Sequence, residues 1–124
     1  MEVKHPTMPD VSGVAMIEVY GPAKSADANY QDCVIFGHSI DRSPCGVGTC
    51  AKMATLVARG ELNIGDNFVY ESIIRTKFSG RPIKKTKVGD YDAIIPEVSA
   101  AAFITGFNHF VFDEDDPALY GFRV

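Results

Sequence analysis

The sequence predicts an α/β (α+β) domain, a mostly antiparallel sheet of short strands curled around one central helix. Three observations point to that class. Short β-favouring runs alternate with turn signals along most of the chain, as antiparallel pairing requires. A single segment, from about Gly48 to Arg59, is continuous and apolar around most of its circumference. The length of 124 residues, 46% of them apolar, suits one domain with a core of its own.

Taken in order, the first strand candidate is Gly13 to Tyr20 (GVAMIEVY), stopped by Gly21-Pro22. A polar connection, SADANYQD, leads to a second apolar run from Cys33 to Gly37. The helix follows, with Thr49, Lys52, Thr55 and Arg59 forming a single polar stripe at helical spacing. Its remaining positions are apolar, which predicts burial on several sides, and Gly60 supplies the left-handed stop. After the turn signal Gly65-Asp66-Asn67 come strand candidates at Phe68 to Ile74, Tyr91 to Val98, Ala101 to Thr105 and Phe107 to Phe112. Pro96 places its strand at an edge or a bulge. The run Asp113 to Asp116 (DEDD) reads as a solvated face.

Composition excludes several classes. The values lie near the globular average, so disordered and fibrous chains are out. No apolar run approaches the ~18 residues of a membrane span, and MEVKHPTMPD has no apolar signal-peptide core. A net charge of −4 and a pI near 5.2 argue against nucleic-acid binding. The three cysteines, Cys33, Cys45 and Cys50, contain no CxxC, and His5, His38 and His109 are scattered, so no metal site is expected. An odd cysteine count fits a reduced, cytoplasmic setting.

The segment entering the helix is unlike the rest: Asp41-Arg42-Ser43-Pro44-Cys45-Gly46-Val47-Gly48-Thr49. It places a thiol at a helix N-terminus, where free backbone N–H groups and the helix dipole favour negative charge. A cysteine in that position is expected to have a lowered pKa. Gly46 and Gly48 let an anionic group approach the backbone amides closely. Asp41 adds a carboxylate able to hold a cationic amine. The plainer reading is a tight turn with Cys45 buried as a small hydrophobe, and Cys33 and Cys50 read as core.

These residues resemble a known family. DRSPCGVGT is similar to the signature of the proline racemases, a family that includes hydroxyproline 2-epimerases and a dehydratase branch. CAKMATLVARGEL, GDNFVYESII, TKVGDYDAIIP and ITGFNHFVFDEDDP resemble the downstream family pattern, and HPTMP and EVYGPA its upstream part. The resemblance implies one lobe of a two-lobed, diaminopimelate-epimerase-like fold and cofactor-independent chemistry between lobes. It implies two cysteines on opposite faces of the substrate α-carbon, one removing the proton and the other delivering one. Position by position, Cys45 matches the second catalytic cysteine and Asp41 the aspartate that binds the ring nitrogen. The amides of Gly46 and Val47 match the carboxylate-binding pair. Val47 stands where the family usually has threonine, which removes a hydroxyl but leaves the N–H. Arg75 stands where relatives commonly have glycine.

The resemblance covers only the second half of a typical member. No Met-Cys-Gly-His-like motif carrying the first cysteine is found, so the expectation is the C-terminal half of an amino-acid racemase, inactive without the other half. Residues 1–106 then form the C-terminal lobe segment, and 107–124 a tail that packs on the missing lobe. The expected partners are a small-molecule substrate, proline or hydroxyproline, and the N-terminal half or a partner chain. The full enzyme is expected to be a cytoplasmic homodimer without cofactor, metal, nucleic acid or membrane. The alternatives are an epimerase or dehydratase of the same family, a non-catalytic remnant, and a small thiol-redox or anion-binding protein.

Overall fold

A computed structural model describes residues 3–121; residues 1–2 and 122–124, the ends of the two expected segments, lie outside the described residues. Strand β1 (Ile17–Pro22) pairs antiparallel with β2 (Tyr30–Phe36), and the short β3 (Ser39–Ile40) folds back on β2. The chain then crosses the sheet through α1 (Gly46–Ala58) and returns as β4 (Phe68–Glu71), which lies parallel to β2 with Tyr30 opposite Tyr70. A parallel pair needs such a crossover, because no tight turn can join its strands. A long hairpin of β5 (Lys77–Val88) and β6 (Tyr91–Ala100) completes the sheet in the order β1-β2-β4-β5-β6. One parallel pair among antiparallel ones makes this a mixed sheet with one helix, an α+β fold.

The core lies between α1 and the sheet. Phe68 and Tyr70, two residues apart on β4, point to the same face and pack with Met53, Leu56 and Leu62. Tyr30 extends this aromatic row, its ring centroid 6.4 Å from that of Phe68. Gly80 lets the helix and β6 approach β5. A Cβ there would stand 2.7 Å from the Glu97 carbonyl oxygen and 3.0 Å from Met53 Cε. The helix ends as its sequence requires. Gly60 takes φ +73° and its N–H donates to the Val57 carbonyl, while Glu61 N–H donates to Leu56.

Several expectations need correction. The helix is buried on one side, not several: Thr49, Lys52, Met53 and Leu56 face the sheet, and Val47, Ala51, Thr55 and Ala58 face outward. Half of the supposed polar stripe is therefore inside. Thr49 is satisfied by donating its hydroxyl to the Pro44 carbonyl at 3.1 Å. The Lys52 ammonium lies 3.1 Å from the ring centre of Tyr20 and 4.4 Å from that of Tyr30, so aromatic faces take the place of water. Cys33 and Cys50 are half-buried rather than core, and all three cysteines are free thiols.

The expected strands at 101–105 and 107–112 are irregular and exposed, since β6 ends at Ala100 and, among the described residues, no strand pairs with its outer edge. Strand β5 was not expected. Its lysine-rich run conceals a strand because few of its side chains are buried. Pro96 lies on edge strand β6, opposite Pro82, where the β5 register slips past Ile83. It meets both conditions that the sequence set.

Candidate functional site

The crossover places the N-terminus of α1 just beyond the end of the β2–β3 turn. Three hydrogen bonds fix the loop between them. The N–H and hydroxyl of Ser43 both donate to Asp41 Oδ1, at 2.8 and 2.9 Å, and Cys45 N–H donates to Ser43 Oγ at 3.2 Å. Asp41 N–H is itself tied to the Val34 carbonyl of β2. The half-buried Asp41 thus orients the loop that carries the thiol.

Cys45 is the N-cap of α1. Its sulfur accepts the Gly48 N–H at 3.5 Å, and its carbonyl accepts Thr49 N–H, the first rung of the helix. Its φ of +56° is a region that side-chain-bearing residues avoid, a conformation that stores about 1–3 kcal/mol and recurs at functional sites. Among the described residues, no hydrogen bond engages the N–H groups of Gly46 and Val47, the free donors at the positive end of the helix. Both residues are exposed.

Cys45 lines a cleft of about 330 Å³. Chain entering β1 forms one wall, from Gly13 to Met16 and Glu18; Val34 and the helix residues Val47, Gly48 and Ala51 form the other. Glu18 closes against Gly48, so that a Cβ at this position would displace the Glu18 carboxylate. The structure therefore brings Cys45 and Val47 to one cleft, with Gly46 beside it at the helix start. Asp41, four residues before Cys45 on the same loop, is not among the residues that line this cleft. Among the described residues no group of three His, Cys, Asp or Glu side chains could hold a metal ion. No described helix is long and apolar enough to cross a membrane.

Three polar groups were not singled out from the sequence. Glu18 accepts a short hydrogen bond from the Tyr70 hydroxyl, which burial and this bond raise above its ordinary pKa. Asp32 is 2% exposed, and neither of its oxygens has a hydrogen-bond partner. Burial first, then the charges of Glu18 and Asp41, push its pKa up to about 7. The signal was two-residue alternation: Glu18 and Tyr20 on β1 pair with Val34 and Asp32 on β2, so all four share a face. Asp32 was hidden because YQD read as the end of a polar loop. Cys50 is also raised, by burial and then by Cys45, which keeps its thiol protonated.

Arg75 has a structural role that the sequence did not give. It takes φ +69° in the turn joining β4 to β5, donating its N–H to the Ser72 carbonyl at 2.8 Å. The next residue, Thr76, donates its hydroxyl to the Arg42 carbonyl, so this turn braces the loop between Asp41 and Cys45.

A family model described as "Proline racemase" matches residues 1–123. The proline racemase of Clostridioides difficile is 50% identical over 123 residues, covering 98% of this chain and 37% of the relative. The 4-hydroxyproline 2-epimerase of Shewanella loihica is 46% identical over 121 residues, with 97% and 36% covered. The crystal structure of a hydroxyproline epimerase from Agrobacterium vitis with bound trans-4-OH-L-proline superposes with a TM-score of 0.80 at 34% identity. It covers all of this chain, 100%, and is itself covered to 35%. A probable proline racemase from Agrobacterium radiobacter K84, with bound carbonate, gives the same TM-score of 0.80 at 36% identity, with 99% and 36% covered. The chain thus spans about a third of the length of the relatives that it matches.

Proposed function

Because the chain belongs to the proline racemase family, we propose that it forms one wall of a site that inverts proline or 4-hydroxyproline at the α-carbon, with Cys45 as the acid–base group on one face. The observation that carries this reading is the Cys45 sulfur at the head of α1, beside two unengaged backbone N–H groups and an open cleft.

The chemistry follows from that arrangement. A substrate carboxylate docked on the Gly46 and Val47 N–H groups sits at the positive end of the helix. There it is held next to the Cys45 sulfur. Removing an α-proton builds negative charge on the carbon and its carboxylate, and the same N–H groups stabilise that charge. The Gly48 N–H points at the sulfur that takes the proton and fixes its position at the head of the helix. Asp41, at the start of the same loop but outside the cleft lining, is the carboxylate proposed to balance the positive ring nitrogen. Replacing the usual threonine by Val47 leaves its N–H in place, so the carboxylate cradle survives. A second thiol, from sequence outside these residues, serves the opposite face. No cofactor is needed, since each step moves only a proton.

The domain assignment follows the same logic. Residues 1–106 form the lobe segment, and residues 107–124 pack against the polypeptide that supplies the other wall.

Hydrogen exchange tests the proposal. L-Proline in deuterium oxide is incubated with the protein, combined with the polypeptide that bears the second cysteine, and α-deuteration and D-proline are followed by NMR. Wild type and Cys50→Ser should exchange, and Cys45→Ser should lose at least about 100-fold of the rate. Undiminished exchange in Cys45→Ser would refute the assignment of the base.

A further inference from the structure

Asp32 has no part in the proton transfer described above, yet it is the least comfortable polar group among the described residues. It is 2% exposed, both of its carboxyl oxygens lack partners, and an isolated buried carboxylate is strongly disfavoured. Its surroundings make matters worse. From β1 come the Glu18 carboxylate and Tyr20; from β4 comes the Tyr70 hydroxyl, which is already donated to Glu18. From the loop before α1 comes Asp41, whose charge reaches Asp32. The nearby cation on α1, Lys52, lies over the rings of Tyr20 and Tyr30 and not on a carboxylate oxygen of Asp32. Two acids press on a third that nothing neutralises.

We propose that Asp32 carries a proton while the site is empty and releases it to solvent when a cationic amino or imino group is held at Asp41, so that substrate binding and proton release are linked. The inference rests on the proposed placement of the substrate's ring nitrogen at Asp41. A positive charge arriving there cancels part of the repulsion that holds the proton on Asp32. The carboxyl O–H bond then breaks, the proton passes to buffer, and Asp32 becomes an anion beneath a bound cation. Asp32 touches neither substrate nor reacting atoms. Its effect is exerted through the charges of Asp41 and Glu18, which makes it a positioning residue. Because linkage is reciprocal, affinity for the cation must rise with pH through the range in which the empty site loses its proton.

The test is calorimetric titration of L-proline into the protein, combined with the polypeptide that completes the site, in two buffers of different ionisation enthalpy. It is run beside 13C NMR of the Asp32 carboxyl carbon. The empty-site carboxyl should titrate near neutrality, at about pH 7, and move down when proline is added. At pH 7 the heats should report release of up to about half a proton per proline bound, and Asp32→Asn should abolish their buffer dependence. Buffer-independent heats, an Asp32 carbon that titrates with ordinary carboxylates, or an Asp32→Asn variant with unchanged buffer dependence would each overturn the inference while leaving the proposed function standing. Absence of any binding heat would overturn both.

Discussion

Replacing Asp32 by asparagine should make the protein more stable at pH 8 and change it little at pH 4. An unfolded aspartate ionises near pH ~3.9, whereas the folded Asp32 holds its proton up to about 7. Between those values the folded state binds more protons than the unfolded state, so stability falls as pH rises. The penalty is absent below the unfolded value and complete above the folded one. A gap of about three pH units corresponds to about 4 kcal/mol at full strength. Solvent in the adjoining cleft screens Glu18, which lines it, and reduces the working expectation to about 2 kcal/mol. Asparagine keeps the shape and removes the titration. Urea unfolding followed by circular dichroism between about pH 4 and 8 gives both profiles. Their difference cancels carboxylates that do not interact with Asp32, such as Glu71, which the backbone N–H of Ser25 foremost holds below its ordinary pKa. Two parallel profiles would refute the reasoning, because they would mean that Asp32 titrates alike in both states.

Other substitutions probe the frame around the site. Arg75→Gly should stabilise the protein by about 1 kcal/mol, read as a rise in melting temperature, because glycine adopts φ +69° without strain; an unchanged or lower melting temperature would show that the side chain compensates. Gly80→Ala should cost about 1–3 kcal/mol in urea unfolding, since the new methyl group meets backbone at Glu97 as well as the flexible Met53. Asp41→Asn should weaken proline binding about tenfold or more, because an amide cannot balance an ammonium charge, and should also loosen the Ser43 contacts; unchanged affinity by titration calorimetry would remove Asp41 from the site.

The most legible parts of this molecule were those set by neighbours in the chain. The stop at Gly60, the cap at Cys45 and the strand at Phe68 each depend on a few consecutive residues, and each is where the sequence placed it. What was misread depends on elements distant in sequence. Lys52 looked like a solvated residue because the rings that receive its charge, Tyr20 and Tyr30, come from β1 and β2. Asp32 looked like a loop residue because only pairing with β1 shows which way it points. Strand β5 was missed because its partners, rather than its own pattern, make it a strand. The reverse error befell residues 101–112, apolar enough for strands but given no partner within the described chain.

That apolar run bears on the proposal that the site is completed by a second wall. The donors at the head of α1 face water, with Val47 69% exposed, and a helix end in water contributes little compared with the same dipole in a dry cleft. Beyond the second thiol proposed above, the site would gain from a surface that excludes solvent. Phe103, Ile104, Phe107, Phe110, Val111 and Phe112 are all at least 80% exposed, a concentration of apolar side chains that usually marks a contact surface. One polypeptide, docked on this run and roofing the cleft, would meet both needs. Changing Phe107, Phe110 and Phe112 to serine should therefore leave the melting temperature of the isolated chain nearly unchanged, within about 0.5 kcal/mol per site. The same changes should raise, by tenfold or more in order of magnitude, the concentration of the complementing polypeptide needed for proline exchange, since each removes about 1.5–3 kcal/mol of burial from the contact. A large fall in the melting temperature of the isolated chain would show instead that the run packs against this lobe. Exchange at the wild-type dose would show that the second wall docks elsewhere.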